Sequence, residues 1–274
     1  MTPCELSGTA AQLRLDAIEM VYRSGDGHLG PSLSAADIIT TLYFKIMKVD
    51  PKNPQWADRD RFILSKGHAC PALYAALAMK GFFSKEEYPS LRKMDSLLQG
   101  HPDMKKTPGV DMTTGSLGNG LGAGFGMAMA GRLTGKDYRT YVLCGDGELG
   151  EGVLWEAAQA APKYRLGSLT LFIDNNGMQS GGTVEAVGGI INIPEKFQAF
   201  GWNVLSIDGH DYDAILDAAE KARACENTPT CIIARTIKGK GVPFMEHNNA
   251  WHKRTPTKEE YADAVNALGG MLHD

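Results

Sequence analysis

The chain has 274 residues, of which 43% are apolar and 22% charged, with a formal net charge of −4. That length fits one large domain or two small ones. Near-balanced charge with this apolar content excludes an intrinsically disordered chain, and it excludes a chain-wide basic footprint for nucleic acid or an anionic membrane.

In chain order, Leu13, Ala17, Met20 and Val21 mark one stripe of a helix over 10–24, stopped by Gly25. A second helix is predicted over 35–47, with Ser34 as N-cap and Asp37 three residues later. Pro51 and Pro54 bracket a loop, 61–65 reads as a short strand, and 69–80 as a helix ended by Gly81. Ser84 and Glu87 open a short helix, and 95–116 reads as irregular. Residues 117–133, rich in Gly and Ala and continuously apolar, predict a tightly packed buried helix. Strands follow over 138–144, 169–174, 202–207 and 230–236. Helices fall over 152–163 (broken near Pro162), 194–200, 211–225 and 257–268 (capped at Thr257). Apolar strands alternating with helices indicate an α/β fold, with a parallel sheet covered on both faces.

No apolar stretch approaches the roughly 20 residues of a membrane span. The amino terminus, with Glu5 and no basic-then-apolar pattern, does not read as a signal peptide. Cys4, Cys70, Cys144, Cys225 and Cys231 are odd in number and form no CxxC pair. They read as reduced thiols of a cytoplasmic protein. The 32 glycines exceed the average of roughly 7% and cluster at 115–152 and 177–189, which points to close backbone approach to a ligand. Gly118, Gly120 and Ala123 fit a loose GxGxxA pattern, but no apolar strand precedes them, so nicotinamide binding is rejected.

The strand over 138–144 runs into Gly145-Asp146-Gly147, and the strand over 169–174 ends at Asn175-Asn176-Gly177. The spacing suits a strand–helix–strand crossover of about 30 residues. Strands joined that way are parallel, so both exits lie on the sheet edge where ligands of open α/β sheets bind. Asp146 and Asn176 are then expected side by side. Their oxygens suit Mg²⁺ or Ca²⁺, whose remaining ligands commonly include water and a phosphate. A diphosphate fits, because glycine permits close approach and a helix N-terminus favours its charge. Each motif alone also reads as an ordinary turn.

GDG, this spacer and NN resemble the thiamine diphosphate signature. The words SGDGHLGPSLSAADI (24–38), LSKGHACPALYAAL (64–77), GHPDMKKTPGVDMTTGSLGNGLGAGFGMA (100–128), GDGELGEG (145–152) and DNNGMQSGG (174–182) resemble transketolase, and in transketolase order. The resemblance implies a three-layer α/β fold, with residues 1–274 as a single diphosphate-binding domain. It implies thiamine diphosphate and Mg²⁺ (or Ca²⁺) as cofactors. Asp146 and Asn176 would hold the metal together with the backbone carbonyl of Met178. Gly145, Gly147 and Glu148 would face the diphosphate, and Gly115, Ser116 and Leu117 the aminopyrimidine ring. His28, His68 and His101 would line the substrate channel, with His68 also reaching the diphosphate. Glu151 would join a carboxylate network at a subunit boundary. A late histidine is implied as well. His252 in AWHK fits that pattern better than His247, although Lys253 stands where glycine is expected. Lys238 and Lys240 read equally as a basic rim for phosphorylated sugars or as a solvated loop.

Transketolase chemistry splits the C2–C3 bond of a ketose, with the cofactor carrying the hard step. Histidine suits the accompanying proton transfers near neutral pH. Transketolases also carry pyrimidine-binding and C-terminal domains, which bring the glutamate that activates the cofactor and the residues that hold the sugar phosphate. No counterpart of these stands in the chain. The resemblance therefore implies the N-terminal subunit of a split transketolase, working on sugar phosphates in an α2β2 assembly with a C-terminal subunit. It implies no nucleic-acid or membrane partner. The α chain of a 2-oxo acid dehydrogenase, deoxyxylulose-phosphate synthase and a non-catalytic cofactor-binding subunit share GDG…NN. The histidine words favour transketolase.

Overall fold

The structure is a computed structural model and describes residues 1–272. Its helices are α1 (Pro3–Ser24), α2 (Gly30–Thr41), α3 (Cys70–Lys80), α4 (Asn119–Thr134), α5 (Gly152–Lys163), α6 (Ile193–Ala199), α7 (Tyr212–Ala224) and α8 (Lys258–Gly269). The strands are β1 (Arg61–Leu64), β2 (Thr140–Gly145), β3 (Leu169–Asn175), β4 (Met178–Gln179), β5 (Gly182–Thr183), β6 (Asn203–Asp208) and β7 (Thr230–Arg235). Five of them form a parallel sheet in the order β1-β2-β3-β7-β6, while β4 and β5 make a small hairpin beyond β3.

Side chains along each strand face alternate ways. Phe62, Leu64, Tyr141, Leu143, Phe172, Ile232 and Ala234 join the core beneath α1, α2, α3, α7 and α8. Ile63, Val142, Cys144, Leu171, Ile173, Cys231 and Ile233 join the core beneath α4, α5 and α6. Double coverage explains the unbroken apolar runs in these strands. Burial of each large side chain contributes about 2 kcal/mol. The expected three-layer α/β fold is therefore present. Among the described residues no helix is long and apolar enough to cross a membrane.

Several local expectations change. α1 starts at Pro3, where Thr2 and Glu5 form a reciprocal capping box. α2 starts at Gly30, not beyond Ser34, because Pro31 suits a first turn that needs no N–H partner. Ser34 is consequently buried inside the helix, and its hydroxyl donates to Asp174 Oδ2 at 2.6 Å instead of capping. After α2 the chain makes a wide turn, with the Met47 N–H donating to the Leu42 carbonyl at 2.8 Å.

α5 runs on through Pro162 rather than breaking there. Pro162 has no N–H for the carbonyl one turn earlier, Ala158, and the indole Nε1–H of Trp202 donates to that oxygen at 2.7 Å. α4 is buried on one face only. A Cβ at Gly120 or Gly124 would overlap Ser65 or Val142, so these glycines let the helix sit directly on β1 and β2. The opposite face is open, with Gly126 and Ala130 exposed and Leu133 78% exposed. The expectation of a wholly buried helix fails there.

Candidate active site

Parallel pairing sets Gly145 of β2 opposite Asp174 of β3. The chain turns out of the sheet just beyond each, which brings the two motifs into contact. Asp146 Oδ1 accepts the Gly147 N–H at 2.8 Å and Oδ2 the Gly177 N–H at 2.5 Å. Asn176 Oδ1 accepts the Met178 N–H at 3.0 Å, and its Nδ2 lies 3.4 Å from both Ser34 Oγ and Asp174 Oδ2. Burial, and then neighbouring Asp174, push the Asp146 carboxyl up to about 6.

Asp174 is fully buried and hydrogen-bonds Lys66, Ser34 and Thr236. Burial alone would raise its carboxyl, but the Lys66 ammonium and these donors hold it below the usual carboxylate range. Lys66 Nζ also donates to the Pro31 carbonyl at 3.0 Å, tying the end of β1 to the first turn of α2.

Lys66, Asp146 and Asn176 border a cavity of about 230 Å³, lined also by His28, His68, Lys238 and His252. The three imidazoles form a triangle, with centroids 5.3 Å apart for His28 and His68, 5.4 Å for His28 and His252, and 5.2 Å for His68 and His252. Burial and then mutual repulsion lower His28 to about 4. Burial followed by Lys238 lowers His252 to about 4, and burial with Lys66 takes His68 lower still. Nδ1 of His28 and Nδ1 of His252 are buried with no hydrogen-bond partner among the described residues. Lys238 is 1% exposed and donates from Nζ to Asn249 Oδ1 at 2.7 Å. Burial and then Lys66 lower its ammonium to about 8.

Of the other expected residues, Gly115, Leu117, Gly145, Gly147, Glu148 and Met178 line this cavity. Gly115 adopts φ 137°, and a Cβ there would meet the His101 ring at 3.0 Å. His101 itself is exposed and lies against Gly115, outside the residues that line the cavity. Glu148 is buried, and its oxygens are already occupied: they accept from Ser65 Oγ, from the Gly118 N–H at 2.7 Å and from the Gly145 N–H at 3.1 Å. It ties three cavity loops together. Ser116 lies outside the lining and its Oγ accepts from Asn119. Glu151 is exposed beside Gly118. His247 is exposed and outside the cavity, so the structure brings His252, not His247, to the other histidines. Lys240 borders a different cavity, with Arg14 and Asp37.

Lys66, Asp174 and Ser34 are site groups that sequence reasoning did not place, and Lys238, read there as a basic rim or a solvated loop, is instead buried against the cavity. A lysine at the end of an apolar strand and an aspartate before NN were the available signals.

A larger concavity of about 820 Å³ lies beyond Asn175, between the 183–195 segment and the ends of β6 and β7. It contains neither the lysines nor the histidines, so the chemistry belongs to the smaller cavity. There Lys66 and Lys238 present ammonium groups, while Asp146 is a buried carboxylate facing a like charge. A phosphate anion with a divalent cation matches both halves of this set. Among the described residues no three His, Cys, Asp or Glu side chains cluster to hold a metal. A cation here would draw on Asp146, the Asn176 amide, backbone oxygen and phosphate.

Residues 7–272 match the family described as "Transketolase, thiamine diphosphate binding domain". The chain is 44% identical over 264 residues to the 6-deoxy-6-sulfo-D-fructose transketolase subunit SqwG of Clostridium sp. (strain MSTE9), covering 96% of each. It is 44% identical over 255 residues to a subunit of the apulose-4-phosphate transketolase of Phocaeicola vulgatus, covering 93% of this chain and 90% of that one. Its structure is similar to that of Campylobacter jejuni transketolase, with a TM-score of 0.93 at 35% identity, covering 98% of this chain and 43% of the other. The chain thus spans less than half of that solved transketolase.

Proposed function

The chain belongs to the family of transketolase thiamine diphosphate-binding domains, and from that premise we propose that it is the diphosphate-binding subunit of a two-chain transketolase. Such an enzyme moves a two-carbon ketol unit from a ketose to an aldose. The observation that carries this reading is the single cavity shared by His28, His68 and His252 with Asp146, Asn176 and Lys238.

Thiamine diphosphate, when bound, supplies the nucleophilic carbon and the electron sink for breaking the bond beside a ketose carbonyl. The chain's own residues bind, orient and handle protons. Asp146, Asn176 and the Met178 carbonyl hold a divalent cation, Mg²⁺ or Ca²⁺. Lys238, His68 and the backbone at Gly145 and Gly147 face the diphosphate. Gly115 and Leu117 border the aminopyrimidine ring. His28 and His252 are neutral near pH 7, and the partnerless Nδ1 of each accepts the proton of a substrate hydroxyl or, as the N–H, donates to a substrate carbonyl oxygen.

The reading also requires a C-terminal subunit bearing the pyrimidine-binding half, in an α2β2 assembly. Two things support this. The SqwG and apulose-4-phosphate relatives are themselves called subunits, and α4 leaves Gly126, Ala130 and Leu133 open on the chain alone, with Glu151 exposed beside Gly118 at the start of that helix. From the same relatives, the substrate is a ketose ending in a phosphate or sulfonate group.

The test is ketol transfer with thiamine diphosphate and Mg²⁺, measured for the chain alone and after reconstitution with the C-terminal half of a transketolase. The expected result is activity only in the reconstituted pair. Full activity of the chain alone overturns the split. A reconstituted assembly that fails to bind thiamine diphosphate overturns the function.

A further inference from the structure

A second buried polar cluster lies behind the cavity, and none of the roles above uses it. Asp37, within α2 and 2% exposed, accepts Arg14 Nη1 at 2.9 Å and Tyr212 Oη at 2.5 Å on Oδ1. Its Oδ2 accepts Arg14 Nη2 and His210 Nδ1, each at 2.6 Å. The other ring nitrogen of His210, Nε2, accepts the Ile237 N–H at 2.9 Å. A nitrogen that accepts carries no proton, which assigns the ring proton to Nδ1 and its bond to Asp37.

Ile237 is the residue before Lys238. The segment leaves the sheet after Arg235 and bends at Gly239 and Gly241, where φ is 82° and 91°. The Gly239 N–H donates to the Gly30 carbonyl at 3.1 Å, at the start of the helix that carries Asp37. The lysine stem is long and rich in rotamers, so the ammonium position depends on how firmly its backbone is held. The Arg14–Asp37 pair makes His210 rigid, and His210 fixes the peptide immediately ahead of Lys238.

We propose that His210 is a positioning residue for the cofactor: by accepting the Ile237 N–H it fixes the Lys238 ammonium in the cavity to meet the diphosphate. The proposal rests on the thiamine diphosphate reading.

The test uses the reconstituted two-chain protein and the dissociation constant of thiamine diphosphate at saturating Mg²⁺. It compares wild type, His210→Asn, His210→Gln, Lys238→Met and the His210→Asn/Lys238→Met double variant. Asparagine keeps a donor near Asp37 but leaves the Ile237 N–H without an acceptor, whereas glutamine reaches far enough to accept it. Expected are losses of about tenfold for His210→Asn and for Lys238→Met. The double variant should fall within about twofold of Lys238→Met alone, because residues acting through one another are non-additive. His210→Gln should recover most of the affinity.

Unchanged binding in His210→Asn overturns the proposal, as does a double variant whose loss is the product of the single losses. Equal loss in both His210 variants also overturns it. If His210→Asn does not assemble, hydrogen exchange in His210→Gln decides: protection over 236–241 like that of wild type supports the proposal, and lost protection overturns it. A wild-type assembly that does not bind thiamine diphosphate overturns the functional reading and this proposal together. Wild-type binding with an indifferent His210→Asn overturns this proposal alone.

Discussion

Gly145 and Asp174 stand opposite each other on β2 and β3, and this pairing brings Asp146 to the Gly177 N–H across 31 residues of sequence. The same register leaves the Asp146 carboxylate beside the Asp174 carboxylate, with burial raising the former to about 6. A divalent cation would relieve that repulsion. Asp146→Asn should therefore keep the fold, with a melting temperature close to wild type. It should weaken Mg²⁺-dependent thiamine diphosphate binding by at least about tenfold. Titration of the reconstituted assembly checks this, and undiminished affinity rules out a metal role for Asp146.

Lys66 and Asp174 form a buried ion pair, with side chains 2% and 0% exposed. Removing one partner leaves an uncompensated charge, so Lys66→Met should destabilise the chain by about 3–5 kcal/mol. The Lys66→Met/Asp174→Asn variant removes both charges and should recover part of that loss. Urea unfolding of the single and double variants measures the coupling; purely additive losses would contradict it.

His28 and His252 have folded pKa values near 4, below the ordinary histidine value of 6.5. Between those limits the unfolded chain binds more protons than the folded one. Stability is therefore fully present above about pH 6.5 and is lost as pH falls towards 4. Each histidine contributes at most about 1.4 kcal/mol per pH unit, and solvent screening at these partly open groups cuts that to a fraction. The cofactor-free His28→Asn/His252→Asn variant should show a flatter fall in stability from pH 6.5 to 4. An identical slope in wild type and variant would exclude burial of the neutral rings.

The open face of α4 makes its own prediction. Ala130 is exposed and lies one turn from Leu133, which is 78% exposed. Ala130→Arg should leave the chain's own stability within about 0.5 kcal/mol, as surface changes usually do. The same substitution should block assembly with the partner subunit, read by light scattering. Normal assembly would place the partner elsewhere.

The apolar runs of β1, β2, β3 and β7, and the ends of most helices, were legible in the chain because they depend on near neighbours. So was the pairing of the two motifs, since a crossover of that length admits parallel strands. The outer face of α4 was not legible: Gly and Ala suit close packing on either side, and only the placement of β1 and β2 shows which side is covered. Ser34 and Asp37 resemble a helix start, yet their partners Asp174 and His210 lie 140 and 173 residues away. His252 fits the local pattern better than His247, although Lys253 departs from it, and the loop path beyond Lys238 sends only His252 into the cavity. The sequence by itself determined the layers, the strand exits and the residue types at those exits, because periodicity and turn chemistry are local. Tertiary structure alone decided which polar groups met, because a buried charge or hydroxyl must take whatever partner the packed elements bring to it.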